Sequence, residues 1–203
     1  MNKFEDILNN ITPEEKHPND RVLLIDGLNI FLRAFAVNGS LNEKGVPVGG
    51  ITGFMRKKIN PNYKSNRTPK RITKFDAFNS LEDEKEAMKI QFRRLLSYLE
   101  LLPIDVYGVD NVEADDVIAY LSQNILEDEV IIMSADQDFL QLVNDRIVVW
   151  SPNKRKYYTK DQIFTEYGIP AHNFLMYKCL LGDKSDNLEG IRGLGAKKMV
   201  KVI

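Results

Sequence analysis

The stretch "VIIMSADQD" (130–138) decides the fold, because a run of apolar residues is followed at once by two acids. A short apolar, β-branched run of this kind is typical of a strand that is buried on both faces in a parallel sheet. Asp136 and Asp138 follow it, so they would lie at the carboxyl end of the strand. That edge is where open parallel sheets bind their ligands. The stretch therefore predicts a central strand, over 130–136, with functional acids at its end.

Three further runs predict strands: "RVLLID" (21–26), "IDVYGV" (104–109) and "RIVVW" (146–150). Helical spacing of apolar residues lies between and after them. It predicts helices over 82–102, 115–126, 138–143, 160–168 and 171–182, the last two ending at a glycine. Strands that alternate with helices indicate an α/β fold, in which helices wrap a mostly parallel sheet.

Carboxylates follow three of these strands and recur in "LLGDKSDN". The eight acids are Asp26, Glu113, Asp115, Asp116, Asp136, Asp138, Asp183 and Asp186. Two unit charges about 4 Å apart repel by roughly 4 kcal/mol at an effective dielectric of 20, against a total stability of about 5–15 kcal/mol. Protonation of some acids or binding of divalent cations would relieve this repulsion. An oxygen-only ligand set favours two Mg²⁺ or Mn²⁺ ions, which can activate water for phosphodiester hydrolysis.

Each group of acids also has a simpler interpretation. Acids near Glu113 suit the positive end of a helix dipole, Asp26 with Gly27 can form a turn, and Asp136 can cap a helix. The segment that begins at Asp183 faintly resembles a calcium-binding loop. It has leucine at the two positions where that loop needs Gly and Glu. The argument for a metal site is therefore that all eight acids are expected at the same place in the fold.

Composition excludes several other kinds of site. A single cysteine, Cys179, allows no internal disulfide and suits a reducing cytoplasm. Two histidines, His17 and His172, make a Cys/His zinc site and a Ser-His-Asp triad implausible. No apolar run approaches the roughly 18 residues of a membrane span. Residues 1–20 form a polar extension without the apolar stretch of a signal peptide.

Positive charge is concentrated in two segments. The net charge is −1, so the chain without the eight acids carries +7. Residues 56–74 contain eight Lys or Arg and no acid, with Tyr63 among them to stack on a base. A solvated loop is the simpler interpretation, but next to a metal site this tract favours a nucleic acid backbone as its partner.

The second basic segment is "LEGIRGLGAKKMVKVI" (188–203). Gly190, Gly193 and Gly195 permit a tight turn before a helix that opens near Ala196. Backbone N–H groups at such a turn can bind a phosphate, and Lys197 and Lys198 would reinforce the binding. An ordinary glycine turn between helices is the alternative.

Taken together, these motifs resemble the flap endonuclease / 5′→3′ exonuclease family. That family includes the 5′-nuclease domain of bacterial DNA polymerase I and phage-encoded exonucleases and ribonucleases H. The matching stretches occur in the family's order over most of residues 21–200: "LLIDGLN", "GGITGF", "YKSNR", "VEADDVIAYL", "SADQDFLQL" and "LLGDKSDNLEGIRGLGAKK". The stretch "VVWSPNKRKYY" is similar to the phage members.

The resemblance implies a PIN-like (resolvase-like) sheet, a helix-three-turn-helix element that binds duplex DNA, and two-metal hydrolysis near a 5′ end. It makes the eight acids metal ligands or their water-mediated neighbours, with Asp26 and Asp136 central to catalysis. Lys64 and Arg67 match arch residues that approach the scissile phosphate, with Tyr63 as a stacking platform. Gly193 and Gly195 match the turn that holds the duplex backbone, with a monovalent cation such as K⁺.

The sequence departs from the family pattern in two places. After "GGITGF" the family continues into a second strand ending in "FDG", whereas here Met55 is followed directly by the basic tract. A true deletion of that strand and its Asp puts catalysis in doubt. The chain also stops at Ile203, within the helix after the glycine turn. We therefore expect a PIN-like domain over 21–178, with an arch around 56–74, and a truncated helix-three-turn-helix region over 179–203.

The sequence thus predicts a monomeric, Mg²⁺-dependent 5′ nuclease of the bacterial or phage-infected cytoplasm. Its expected substrates are DNA with a 5′ flap, nick or overhang, and RNA–DNA hybrids. Two alternatives stay open at this point. A PIN-type ribonuclease for single-stranded RNA would share the acids without needing "GIRGLGAKK", and a non-catalytic module for branched DNA would follow from the missing strand.

Overall fold

The computed structural model describes residues 21–56, 73, 78–183 and 188–201. The polar extension (1–20), Tyr63, Lys64, Arg67 and Asp186 lie outside the described residues, as does the side chain of Lys197. None of the helices in the described ranges combines the length and the apolar composition that a bilayer span requires.

A four-stranded sheet forms the centre of the molecule, in the order β1 (Arg21–Ile25), β2 (Glu129–Met133), β3 (Ile147–Ser151), β4 (Lys156–Tyr158). The first three strands are parallel, and β4 pairs with β3 as an antiparallel hairpin. The predictions of strands near 21–26, 130–136 and 146–150 and of a mostly parallel sheet are confirmed, although β2 ends at Met133. The sequence did not predict β4. The turn that joins β3 to β4 carries Arg155 at a positive φ of 51°.

Helices form in each of the segments that the apolar spacing predicted, and two more, α1 (Gly27–Val37) and α2 (Gly49–Arg56), form in segments for which no helix was predicted. The other α-helices are α3 (Leu81–Leu99), α4 (Ala114–Tyr120), α5 (Lys160–Tyr167), α6 (Phe174–Leu181) and α7 (Ala196–Met199). Shorter elements are a π-helical turn (Leu121–Ile125), 3₁₀ turns (Asp138–Leu142 and Ala171–Asn173) and strands β5 (Gly182–Asp183) and β6 (Leu188–Glu189). The helix predicted over 115–126 is thus α4 with a π turn, 138–143 forms a 3₁₀ turn, and 171–182 begins with one.

Two groups of buried apolar side chains hold these elements. The larger group lies between the sheet and the helices that follow it, and it includes Val130, Ile132 and Ile147. The smaller group joins α1, α2 and α3 through Phe31, Phe35 and Leu95 and through Ile51. Because α1 begins directly after β1, its anchoring in this second group fixes the direction in which the chain leaves the sheet at Asp26.

The predicted strand at 104–109 is wrong, because this segment has no regular secondary structure. Its apolar side chains remain exposed, with Ile104 at 46% and Val106 at 47%. A strand forms only where a neighbouring strand supplies hydrogen-bond partners, and among the described strands β1 pairs with β2 alone. Leu23 on β1 is likewise 49% exposed. In the described residues no strand lies between β1 and 104–109 to hydrogen-bond with this segment, so its apolar pattern did not become a strand.

Arg146 ties the end of the helix over 114–125 to the sheet. One guanidinium nitrogen donates to the carbonyl oxygens of Leu126 (2.6 Å) and Asp128 (3.0 Å), and the other donates to Ser122 (2.7 Å). These carbonyls lie where helical hydrogen bonding ends, so they need other donors. The contact fixes the position of α4, whose first turn carries Asp115 and Asp116.

We therefore expect Arg146→Met to lower the free energy of unfolding by about 2–4 kcal/mol, because charge-assisted hydrogen bonds to part-buried carbonyls are lost. Urea titration followed by circular dichroism measures this change. Arg94→Met, at an exposed position on α3, is the control and should change stability by less than about 0.5 kcal/mol. Equal stability of the two variants would contradict the role given to Arg146.

Candidate active site at the carboxyl edge of the sheet

Strand pairing places Asp26 beside Ser134. The ladder between β1 and β2 continues one residue past β1, where the backbone N–H of Asp26 donates to the carbonyl of Met133 (3.1 Å). The N–H of Ser134 donates in the same way to the carbonyl of Trp150, at the end of β3 (3.2 Å). Parallel strands present their carboxyl ends at the same edge, so residues that follow β1 and β2 meet there.

Asp26 is a buried carboxylate, with a side chain held from two sides. The residue is 8% exposed. One carboxylate oxygen accepts from the N–H of Asn29 in the first turn of α1 (3.2 Å), and the other accepts from the Ser134 hydroxyl (2.9 Å). Burial raises the pKa of Asp26, the two hydrogen bonds lower it, and the negative charges of Asp136 and Asp115 raise it again. The net effect is a raised pKa, because burial and the two negative charges outweigh the two hydrogen bonds.

Ser134 also connects Asp26 to the acids that follow β2. Its hydroxyl oxygen accepts from the backbone N–H of Asp136 (3.0 Å) while the hydroxyl donates to Asp26. The N–H of Asp138 donates to a carboxylate oxygen of Asp136 (3.0 Å), which turns the chain into the 3₁₀ helix. The sequence reading did not single out Ser134. Its position between the end of the strand and Asp136 was the only available signal.

The first turn of α4 supplies the next acids. Glu113 is the N-cap residue, although its side chain makes no capping hydrogen bond, and the N–H of Asp116 donates to Asp115 (3.0 Å). Val117 and Ile118 are buried and anchor the helix against the sheet. This packing leaves all three acids exposed, and the charge of Asp115 acts on Asp26.

Lys178, which the sequence reading did not include, joins two predicted metal ligands. Its ammonium donates to Asp183 at 2.6 Å and to Asp138. Burial tends to lower the pKa of Lys178, but the hydrogen bonds and charges of the two carboxylates outweigh it and raise the pKa. A lysine five positions before Asp183 on a predicted helix was a signal that could have indicated this ion pair.

The structure thus arranges the predicted acids in two groups. Asp115 and Asp136 act electrostatically on Asp26, and Lys178 holds Asp138 and Asp183. Within the described ranges, no three His, Cys, Asp or Glu residues are close enough to hold one metal ion. The expected merging of the acids into a single pocket is therefore not seen there, and Glu113 and Asp116 lie at the helix terminus beside the first group. Like charges repel, which keeps these carboxylates apart.

The donor set suits a hard divalent cation. The described side chains that hydrogen-bond to Asp26 or act on its charge contribute oxygen atoms, from the carboxylates of Asp115 and Asp136 and from the Ser134 hydroxyl. Oxygen ligands are those that Mg²⁺ and Mn²⁺ prefer, whereas zinc favours nitrogen and sulfur. A cation would also offset the repulsion between Asp26 and the carboxylates of Asp115 and Asp136. In the chemistry of their donor atoms, these residues therefore suit a divalent metal ion.

The glycine turn has both structural and exposed members. A side chain at Gly190 would place its Cβ 2.0 Å from the carbonyl oxygen of Leu181, so packing against the end of α6 requires glycine there. Gly193 has a positive φ of 81° in open space, and Gly195 precedes α7. The ammonium of Lys198 donates to the carbonyl of Gly193 (3.2 Å) and is exposed. The turn is thus built from backbone geometry and carries a cation on its surface.

Comparison with known proteins gives the same fold and family. The family model for the 5′-3′ exonuclease N-terminal resolvase-like domain matches residues 54–168, more than half of the chain. A 5′-3′ exonuclease of Aquifex aeolicus is 30% identical over 196 residues, which cover 89% of this chain and 68% of the relative. The thermostable DNA polymerase I of Thermus caldophilus is 31% identical over 204 residues, which cover 92% of this chain but 24% of the polymerase. The chain therefore spans about a quarter of that longer relative.

A solved structure shows the same fold. A variant of the bacteriophage T5 flap endonuclease, solved as a pseudo-enzyme-product complex with DNA and metal ions, superposes with a TM-score of 0.64 and 24% sequence identity. The match covers 91% of this chain and 74% of the T5 chain. This likeness, together with the mostly parallel sheet, confirms the predicted PIN-like fold.

The buried charge of Asp26 leads to a stability prediction. A carboxyl whose pKa is raised by folding makes the protein less stable as the pH rises from its ordinary value, 3.8, through the raised value. Asp26→Asn removes this charge, so we expect a higher melting temperature than wild type at mildly alkaline pH in EDTA. The difference should shrink towards about pH 4.

Thermal unfolding across this pH range measures the effect. Asp145→Asn is the control, because its side chain is 90% exposed. An Asp26→Asn protein that melted below wild type at every pH would contradict the argument.

The match of the family model over more than half of the chain and the Aquifex relative at 30% identity agree with the geometry of the acids at the carboxyl edge. The chain belongs to the 5′-3′ exonuclease family, whose N-terminal resolvase-like domain it contains.

Proposed function

We propose that this protein is a divalent-metal-dependent, structure-specific 5′ nuclease that hydrolyses phosphodiesters near the 5′ ends of branched or nicked DNA during replication. The observation that carries the proposal is Asp26, a buried acid under repulsion from two other carboxylates at the ligand-binding edge of the sheet. Membership of the 5′-3′ exonuclease family supports the reaction. The T5 neighbour, which holds DNA and metal ions, supports the class of substrate.

Two groups of residues would hold Mg²⁺ or Mn²⁺ in this proposal. The first group contains Asp26, Asp115 and Asp136, with Glu113 and Asp116 beside them. The second contains Asp138 and Asp183, together with Asp186. Bound divalent ions lower the pKa of a coordinated water and offset negative charge on the phosphate.

The protein's own groups position this chemistry. Ser134 orients the Asp26 carboxylate by donating to it, and the N–H of Asn29 fixes the second oxygen. Both contacts leave lone pairs of the carboxylate available. We assign Lys64 and Arg67 to neutralising the charge that develops on the reacting phosphate, with Tyr63 stacking on a base. No side chain is needed as a covalent nucleophile.

The glycine turn is the proposed contact to duplex DNA. The backbone around Gly193 and Gly195 would approach the phosphates, with Lys197 and Lys198 adding positive charge. Gly190 would keep the turn packed against α6. A K⁺ ion bound by turn carbonyls would complete this contact. We further propose that the protein acts as a monomer in the cytoplasm, and that RNA–DNA hybrids are a second substrate.

Incubation of a 5′-labelled DNA flap with the protein and Mg²⁺ tests the proposed function directly. We expect cleavage near the branch point that stops when EDTA removes the metal. Single-stranded RNA of the same length should be cut far more slowly, because it offers no duplex to the glycine turn. Preferred cleavage of the RNA would favour a PIN-type ribonuclease. Flap binding without any product would favour the non-catalytic module for branched DNA.

Asp136→Asn should lower the rate of flap cleavage by at least about a hundredfold, because a metal ligand loses its charge. Binding of the same flap in Ca²⁺, measured by fluorescence anisotropy, should stay within a few fold of wild type. Asp145→Asn, an exposed acid at the opposite end of the strands, is the matched control. Full activity of Asp136→Asn would refute the ligand assignment.

A further inference from the structure

An ammonium group occupies the space between two acids of the proposed second metal group. Lys178 donates to the carboxylates of both Asp138 and Asp183, and its side chain is only 25% exposed. The side chains of Asp138 and Asp183 are themselves 39% and 19% exposed. Ion pairs at this depth are screened much less by salt than those on the open surface.

Three separate elements bring these groups together. Asp138 begins the 3₁₀ turn after β2, Lys178 lies on α6, and Asp183 belongs to β5. On α6, Phe174 and Tyr177 are buried in the main core, which fixes the face that carries Lys178. Gly182 has a φ of 80° and reverses the chain so that Asp183 returns beside its own helix. The arrangement is therefore determined by the packing of the fold and does not depend on a chance meeting of surface side chains.

The ammonium makes the contacts that a metal ion at the same position would make. It takes one oxygen from each carboxylate, and each oxygen that accepts from Lys178 is less available as a metal ligand. A divalent cation at the same oxygens would also repel the ammonium at short range. Each carboxylate keeps a second oxygen, so Lys178 and a metal ion compete for this pair of acids mainly through the repulsion between the two cations.

We propose that Lys178 is a built-in counter-cation that competes with the divalent metal ion for Asp138 and Asp183. This inference rests on the proposed function, because it presumes that these two acids are metal ligands. Its consequence is an order of binding. The first ion binds at the Asp26 group, where no lysine neutralises the acids in the described part of the chain, and the second ion must displace Lys178. The ammonium thus lowers the affinity of the second site and stabilises the protein before metal binds.

Mn²⁺ titration by calorimetry at neutral pH tests the competition. We expect Lys178→Met, which keeps the apolar stem without the charge, to bind the weaker Mn²⁺ ion about tenfold or more tightly than wild type. The tighter site should be unchanged. Lys178→Arg keeps a cation between the acids and should resemble wild type. Lys160→Met removes an exposed ion pair with Asp145 and is the matched control.

Two further measurements do not depend on catalytic activity, and the second uses the wild-type protein. In EDTA, Lys178→Met should melt below wild type, because the ion pairs that Lys178 makes with two part-buried acids are lost, and Mn²⁺ should reverse the loss. In wild type, acetylation of Lys178 read by mass spectrometry should increase when Mn²⁺ saturates the protein, since the ammonium has been displaced.

Equal or weaker binding of the second Mn²⁺ ion by a folded Lys178→Met protein would overturn the proposal. So would labelling of Lys178 in wild type that does not change with Mn²⁺. A wild-type protein that bound no Mn²⁺ at all would instead refute the proposed metal-dependent function, so the two failures are distinguishable.

Discussion

The parallel pairing of β1 with β2 is the constraint on which the candidate site depends. It brings the N–H of Asp26 to the carbonyl of Met133, and so it places the first acid beside the serine that follows the second strand. Neither residue could reach the other through local structure, since 108 positions separate them in the chain. The apolar side chains of β2 and β3 bury this pairing, so the same core that stabilises the sheet also assembles the site.

The acids of the candidate site lower the stability of the folded protein. A carboxyl at the position of Asp26 is deprived of water, and its neighbours add negative charge, which raises its pKa. The protein offsets part of this cost with the Ser134 hydroxyl and the N–H of Asn29. It offsets another part of the acidic charge with Lys178, whose single positive charge is shared between Asp138 and Asp183. Repulsion between acids is thus offset by hydrogen bonds in the Asp26 group and by an ammonium between Asp138 and Asp183. This difference is the reason for expecting two metal ions of unequal affinity.

Apolar side chains, such as that of Leu23, are also exposed on β1 and in the segment 104–109. The patterns of both segments are those of buried strands. Among the described strands β1 pairs with β2 alone, so neither the other edge of β1 nor the segment 104–109 has a strand partner in the described residues. The acids after 104–109 still reach the site, since Arg146 and the buried face of α4 position them independently.

The sequence by itself determined the three parallel strands, the helices after residue 81 and the positions of the acids along the chain, because apolar periodicity and strand-end carboxylates are local features. The family followed from motifs whose order is also written in the chain. Only the tertiary structure decided which acids interact, since hydrogen bonds such as Ser134 to Asp26 and Lys178 to Asp183 depend on how separate elements pack. It also decided that 104–109 is not a strand, because a ladder needs a partner that no local pattern can supply. The hairpin strand β4 was not predicted for a related reason. It has only three residues, and they form a strand because they pair with β3.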